Sequence, residues 1–258
     1  MSVEPLLRVR GLALRGGGRS LVRALEFEVR AGEFWCVLGQ NGAGKTTLLH
    51  ALAGLAAPDA GTIELAGRPL EEWPPREAAL KRGFLPQHSA YGFSMRALDV
   101  ALLGRYPHLG RRRWEDEDDL RLARAALARV DLPDAAERDV ATLSGGERQR
   151  AAIAALLAQD PPLYLLDEPL AHLDLRHQLQ ILSLLGELAR AERRGVMLSL
   201  HDPSLAARFA THALLLYGDG RSLCGRAADV LNESALSDAY GHRVRRLAAE
   251  RRSAFVAE

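Results

Sequence analysis

The sequence predicts an α/β fold: a mainly parallel sheet whose chain path is interrupted by a helical insert. Three observations predict it. Phe34–Leu38, Leu163–Leu166 and residues 196–200 are short, continuously apolar runs, the texture of strands buried on both faces of a parallel sheet. A long helical stretch over about residues 175–193 separates the last two runs, which makes a βαβ unit. Over residues 97–158 alanine, leucine and charged residues dominate and β-branched residues become scarce, a helical composition.

Taken in order, residues 6–38 read as strands separated by turns. Residues 25–29 alternate with period two, the mark of a half-buried strand, and Gly16, Gly17 and Gly18 form a turn. Residues 46–53 read as a helix and residues 61–67 as a short strand between glycines. In the insert, Leu120, Ala123, Leu127 and Val130 make an apolar stripe at helical spacing. Arg111, Arg112 and Arg113, followed by five acidic residues at 115–119, read as a solvated loop and an acidic first helical turn favoured by the helix dipole. Residues 213–217, a Gly218-Asp219-Gly220 turn and residues 221–225 read as a closing hairpin. There are no repeats, heptads or low-complexity linkers.

Composition narrows the class. The 258 residues, 48% of them hydrophobic, suffice for one substantial core or two joined subdomains. With 34 Lys and Arg against 33 Asp and Glu, the chain lacks the basic surface of a dedicated nucleic-acid binder, and disorder is excluded at this balance. Cys36 sits in an apolar run and reads as core; two lone cysteines, Cys36 and Cys224, make neither a disulfide scaffold nor a metal site and suit a reducing compartment. No apolar run approaches the ~20 residues of a membrane span, and the N-terminal residues do not read as a signal peptide. Any membrane role is expected to run through a partner.

Gly39-Gln40-Asn41-Gly42-Ala43-Gly44-Lys45-Thr46 fits G-x-x-x-x-G-K-[ST] between a strand and a helix. Its glycines let backbone N–H groups face phosphates. Lys45 is placed to reach the β- and γ-phosphates and the Thr46 hydroxyl to ligate Mg²⁺. Asp167, after the strand Leu163–Leu166, is the acidic candidate for the metal, and Glu168 can orient or deprotonate a water. His201, at the end of the next strand, can contact a γ-phosphate. The Gln87 amide can touch Mg²⁺ or the attacking water.

A second glycine pair precedes a helix at Leu143-Ser144-Gly145-Gly146-Glu147-Arg148-Gln149-Arg150. Ser144 and Glu147 fit a capping box, and Gly145 and Gly146 also fit a phosphate nest on a helix N-terminus. Both readings stay open on these residues alone.

GQNGAGKTT, LPQ, LSGGERQR, LLDEP, HLD and LSLHD occur here in the order found in ATP-binding subunits of ABC transporters, and the chain resembles that family over essentially its whole length. The resemblance implies a P-loop NTPase core with an antiparallel β subdomain, residues 1–88 and 159–258, and a helical subdomain, residues 89–158. It implies an ATP hydrolase using ATP and Mg²⁺. Residues Gly39 to Thr47 bind ATP in one copy, while Ser144, Gly145, Gly146 and Glu147 bind the ATP of a second copy in a head-to-tail dimer. Asp174 lies at the dimer seam. Glu168 is the catalytic glutamate, His201 the switch histidine and Gln87 the loop glutamine; Thr46, Gln87 and Asp167 serve the metal. The family usually places an aromatic ring against adenine near Arg15 or Gly16, and here the first aromatic is Phe27.

Residues 102–108, HLDLRHQLQIL and the ending Ala239-Tyr240-Gly241 resemble the importer subgroup for iron–siderophores, haem and cobalamin. That resemblance implies integral membrane permease subunits as partners, indirectly a substrate-binding protein, no nucleic acid, and a place on the cytoplasmic face of the inner membrane. Tyr91, Phe93 and Met95 are candidates for the permease contact. The rivals are a soluble ABC ATPase acting on DNA or ribosomes, against which the absence of an inserted coiled coil and of a fused second ATPase domain speaks, and the ATPase subunit of an exporter.

Overall fold

Alternate residues of the same strands face two different cores, and this is what the continuously apolar runs are for. A computed structural model describes residues 4–88, 92, 94–109, 114–249 and 252–257. Its six-stranded sheet contains β3 (Phe34–Leu38), β6 (Arg82–Leu85), β7 (Leu163–Leu166), β8 (Gly195–Ser199), β9 (His212–Leu216) and β10 (Ser222–Arg226), in the order β10-β9-β3-β8-β7-β6. All pairs are parallel except β9 with β10, the closing hairpin. Phe34, Cys36, Leu38, Tyr164 and Leu166 join one core, and Trp35, Val37, Leu163 and Leu165 join the other.

The second core is closed by α1 (Lys45–Leu52) and a four-stranded antiparallel sheet of β1 (Leu7–Gly16), β2 (Arg19–Val29), β4 (Ala60–Leu65) and β5 (Arg68–Pro69). β1 and β2 are joined through Gly17 and Gly18, both at positive φ (56° and 77°), the geometry of a two-residue hairpin turn that only glycine adopts freely.

The first core is covered by helices. α2 (Pro75–Ala79) precedes β6. Then α3 (Ala97–Leu103), α4 (Glu117–Arg129) and α5 (Gly145–Gln159) pack on one another between β6 and β7. α6 (Leu175–Arg190) and α7 (Pro203–Phe209) follow β7 and β8; α8 (Ala227–Val230), α9 (Glu233–Tyr240) and the hairpin β11 (Val244–Ala249)–β12 (Arg252–Ala257) close the chain. No helix among the described residues is long and apolar enough to cross a membrane.

Two details of the insert differ from the sequence reading. The apolar stripe on α4 starts one turn later than its spacing suggests: Leu120 is exposed, and Ala123, Ala126, Leu127 and Val130 are buried. The acidic first turn is capped by Asp116 but is not wholly solvated. Asp119 turns inward because Arg105 meets it there, Nε to Oδ1 at 2.8 Å, while Arg105 Nη1 donates to the Ala158 carbonyl at 2.8 Å. One largely buried ion pair thereby ties α3, α4 and α5, and removing either partner would leave the other charge without its counter-ion. The acidic run opens the helix as expected, but its last member belongs to the interior. Arg111 to Arg113, Tyr91 and Phe93 lie outside the described residues.

α3 and α5 approach so closely at Gly104 that a Cβ there would stand 1.8 Å from the Ala155 carbonyl oxygen. Gly104 has an ordinary helical φ of −63°, so space alone demands the glycine. Gly104→Ala is expected to destabilise the chain by about 1–3 kcal/mol, read as a lowered denaturant midpoint at unchanged slope.

Candidate functional site

Two helix N-termini led by glycines open into two separate cavities. The first begins at α1. Its N-cap, Gly44, has φ 105° and offers no side-chain cap, and Gly42 has φ 78°. The first-turn N–H groups of α1 therefore have neither an intrahelical partner nor a cap, which suits them to an anion. Lys45 folds back along the loop, its ammonium donating to the Gly39 and Gln40 carbonyls at 2.9 and 3.2 Å. Burial pushes its pKa down, and the nearby carboxylates of Glu168 and Asp167 oppose that shift. The result is a desolvated cation waiting for a stronger anionic partner.

Asn41, Gly42, Gly44, Lys45, Thr46, Thr47, Gln87, Glu168 and Leu21 line this cavity of about 280 Å³. Gly39, Gln40 and Ala43 shape the loop without lining the cavity: the first two hold Lys45, and the Ala43 N–H bonds the Gln40 carbonyl at 3.1 Å.

Glu168 stands at the carboxyl end of β7 with its carboxylate shared. Gln87 Nε2 donates to Oε2 at 2.9 Å, and His201 Nε2 meets Oε1 at 2.8 Å. Its backbone lies in the left-handed region at φ 46°, a strained conformation for a residue with a side chain. The Glu168 N–H donates to Ser199 Oγ at 2.7 Å, and the Ser199 hydroxyl donates to Asp167 Oδ1 at 2.7 Å. Ser199 ends β8, so adjacent parallel strands present Asp167, Glu168 and Ser199 together at the crevice where α/β proteins bind ligands.

Asp167 is fully buried, and its Oδ2 has no hydrogen-bond partner. A buried carboxylate oxygen left without a donor suits a cation. One carboxylate with a threonine hydroxyl is the sparse, hard-oxygen set that Mg²⁺ takes when phosphates supply the remaining ligands. Among the described residues no cluster of three or more His, Cys, Asp or Glu side chains could hold a metal by itself. The residues present therefore fit Mg²⁺ arriving with a phosphate ligand.

The second cavity, about 440 Å³, opens at the N-terminus of α5. Ser144, Gly145, Gly146, Glu147, Arg150, His172, Leu173, Asp174 and His177 line it. The capping box is present: Ser144 Oγ accepts from the Glu147 N–H at 3.2 Å, and Glu147 Oε2 accepts from the Ser144 N–H at 2.8 Å. Gly145 and Gly146 occupy the first two helical positions, whose N–H groups no carbonyl of the helix reaches. A cap and an anion nest thus coexist on one helix end.

Of the residues picked out by sequence, Asn41, Gly42, Gly44, Lys45, Thr46, Thr47, Gln87 and Glu168 share the first cavity, Asp167 and His201 adjoin Glu168, and Ser144 to Glu147 with Asp174 share the second. Several neighbours of these groups were given no site role by the sequence. Ser199 holds the Asp167 carboxylate and the Glu168 backbone N–H. Leu21 is the apolar wall of the first cavity and packs over Gly44. The Tyr240 hydroxyl, pushed up to about 12 mainly by burial, faces the His201 carbonyl at 3.4 Å. His172, His177 and Arg150 line the second cavity. Of these, Ser199, His172, His177, Arg150 and Tyr240 lie inside the quoted motifs, and Leu21 alone lies outside them.

A family profile described as "ABC transporter" matches residues 22–171. A curated relative named hemin import ATP-binding protein, from Deinococcus radiodurans, is 44% identical over 93% of this chain and 92% of its own. Among solved structures, one described as a metal-chelate type ABC transporter in an inward-facing conformation is 30% identical, with a TM-score of 0.86 over 98% of both chains. The dimeric structure of a bacterial ABC transporter cassette is 25% identical, with a TM-score of 0.75 over 84% of this chain and 97% of that one. The chain belongs to the ABC transporter family.

Because Ser199 holds Asp167, Ser199→Ala is expected to weaken Mg²⁺ binding to the nucleotide-loaded protein about 10–100-fold. Titration with Mn²⁺ followed by its paramagnetic resonance measures this directly.

Proposed function

We propose that this chain, as an ABC transporter family member, is the ATP-hydrolysing subunit of an importer that takes up hemin or a related metal chelate through a separate membrane permease. The observation that carries the reading is the convergence of Lys45, Thr46, Gln87 and Glu168 on one cavity while the second anion nest opens elsewhere. The relative named for hemin import and the metal-chelate type transporter support the cargo class. The dimeric cassette supports assembly with a second copy.

In this reading the α1 N-terminus and Lys45 receive the phosphates of ATP. Lys45 leaves the Gly39 and Gln40 carbonyls for the β- and γ-phosphate oxygens, an exchange of neutral acceptors for charged ones. Thr46 and Asp167 would hold Mg²⁺, which would neutralise phosphate charge. Glu168 gives up one of its two bonds, to Gln87 or His201, and that oxygen then accepts the proton of the attacking water. His201, once free of Glu168, is placed to bond the γ-phosphate. The Ser144–Glu147 nest of a second copy closes over the same phosphate, so ATP bridges the two chains only while the γ-phosphate is present.

The permease reading has support in the insert. Leu103, the last residue of α3, and Tyr106, three residues on, are 55% and 60% exposed large side chains. A chain that belongs on the cytoplasmic face of the inner membrane through its permease has a use for such a surface. Met95 is half-buried against the core instead.

Glu168→Gln should retain ATP binding and lose turnover by about 10²–10⁴-fold; hydrolysis at the parental rate would remove Glu168 from the reaction. A mixed dimer of one Lys45→Ala chain and one Ser144→Arg chain should keep one working site, seen as about half the parental rate on the principle that each site draws on both chains. Leu103→Asp with Tyr106→Asp should abolish co-purification with the permease and hemin uptake while leaving ATP binding unchanged.

A further inference from the structure

The second cavity contains a cluster of charged groups that neither the cap nor the nest accounts for. Asp174 caps α6, and its Oδ1 accepts twice: from the His177 N–H at 2.9 Å and from the His177 imidazole Nδ1 at 2.9 Å. An ionised carboxylate only accepts, so Nδ1 carries the proton. The backbone bond alone would cap the helix; the imidazole bond is additional and fixes the rotation of the carboxylate. These two bonds, the backbone one foremost, hold Asp174 below the usual carboxylate range. Oδ2 takes part in neither bond, and the Asp174 side chain is 66% exposed beside the nest.

His177 is itself held from behind. Its side chain is 19% exposed, and its Nε2 faces Asp131 Oδ2 at 3.8 Å. Arg176 approaches the same oxygen at 3.6 Å. Asp131 follows α4 in a left-handed turn at φ 61°. That turn is pinned by Arg150 of α5, whose Nη1 donates to the Val130 and Asp131 carbonyls at 3.0 and 2.7 Å. Arg150 is buried. Neighbouring groups thus lead from the helix that carries the Ser144 nest, through Arg150 and Asp131, to His177, where the approach is 3.8 Å and not a hydrogen bond, and on to Asp174.

We propose that His177 is a positioning residue: it presents Asp174 Oδ2 to the second copy of the chain at a fixed setting relative to the Ser144 nest, so that nest and carboxylate engage the partner together. The proposal rests on the two-copy ATP site proposed above. Its expected effect is on association, since His177 lines the cavity at Ser144 and not the one at Lys45.

The test uses the full chain carrying Glu168→Gln, so that bound ATP is not consumed. Two quantities are measured for each variant: the affinity of the single chain for a fluorescent ATP analogue, and the dimer dissociation constant in saturating MgATP by analytical ultracentrifugation. His177→Ala is expected to raise the dimer dissociation constant about tenfold, the loss of one hydrogen bond to a charged group, at unchanged nucleotide affinity. His177→Asn, which keeps an N–H near the position of Nδ1, is expected to restore most of that loss; His177→Gln, whose amide extends past it, is not. Parental dimerisation of His177→Ala overturns the proposal, and so does equal weakening by Ala and Asn, which marks a packing role. If the Glu168→Gln chain binds the analogue but stays a monomer in MgATP, the two-copy reading fails and the proposal with it.

Discussion

Everything in this chain turns on one constraint: its two glycine-led helix ends open into cavities that have no lining residue in common. Each end alone is an anion site of ordinary strength, about half a unit of positive charge from the dipole and a few free N–H groups. In the reading proposed above, the phosphate gripped by both is gripped by two chains. In the proposed two-copy site, association depends on the ligand, and a reaction that removes the ligand's terminal charge releases it.

The two cavities are nevertheless mechanically joined. Residues 168–174 run from the Glu168 carboxylate to Asp174, a reach of at most about 20 Å. This short segment is anchored on α5: Gln149 Nε2 donates to the Pro169 carbonyl at 3.2 Å, and Gly145 and Gly146 pack against His172 and Leu173. Glu168 and His172 both sit at positive φ. Such strain persists only where the surroundings over-determine it, which fits a segment pulled into place by packing at both ends. The far end of α5 is tied down as well, since Gln159 Nε2 donates to the Ala79 carbonyl at the end of α2 and to the Arg82 carbonyl at the start of β6, the strand that leads to Gln87. α5 and the 168–174 segment thus give the Glu168 carboxylate and the Ser144 nest a common frame.

The sheet was legible in the sequence because strands buried on both faces leave no polar positions, and Phe34–Leu38 and Leu163–Leu166 have none. The phosphate loop was legible because backbone conformation there requires glycine at fixed spacings. The helical insert was legible as a composition but not in its faces. Leu120 and Asp119 exchanged the roles their polarity suggests, because Arg105, fourteen residues earlier, decides which of them turns inward. Leu21 carries no motif; Ser199 and Tyr240 lie inside motifs, but their partners Asp167 and His201 are 32 and 39 residues away, and local pattern carries no trace of those contacts. His177 was hidden differently, inside a motif whose aspartate drew the attention.

The most direct measurement is the ATPase rate per chain as a function of protein concentration, from well above to well below the concentration at which the chain sediments as a monomer. A site built from two chains predicts that the rate per chain falls toward zero on dilution and rises to a plateau as dimers form. A rate per chain that stays constant through the monomer range would contradict the account, because it would mean that one copy completes the site alone.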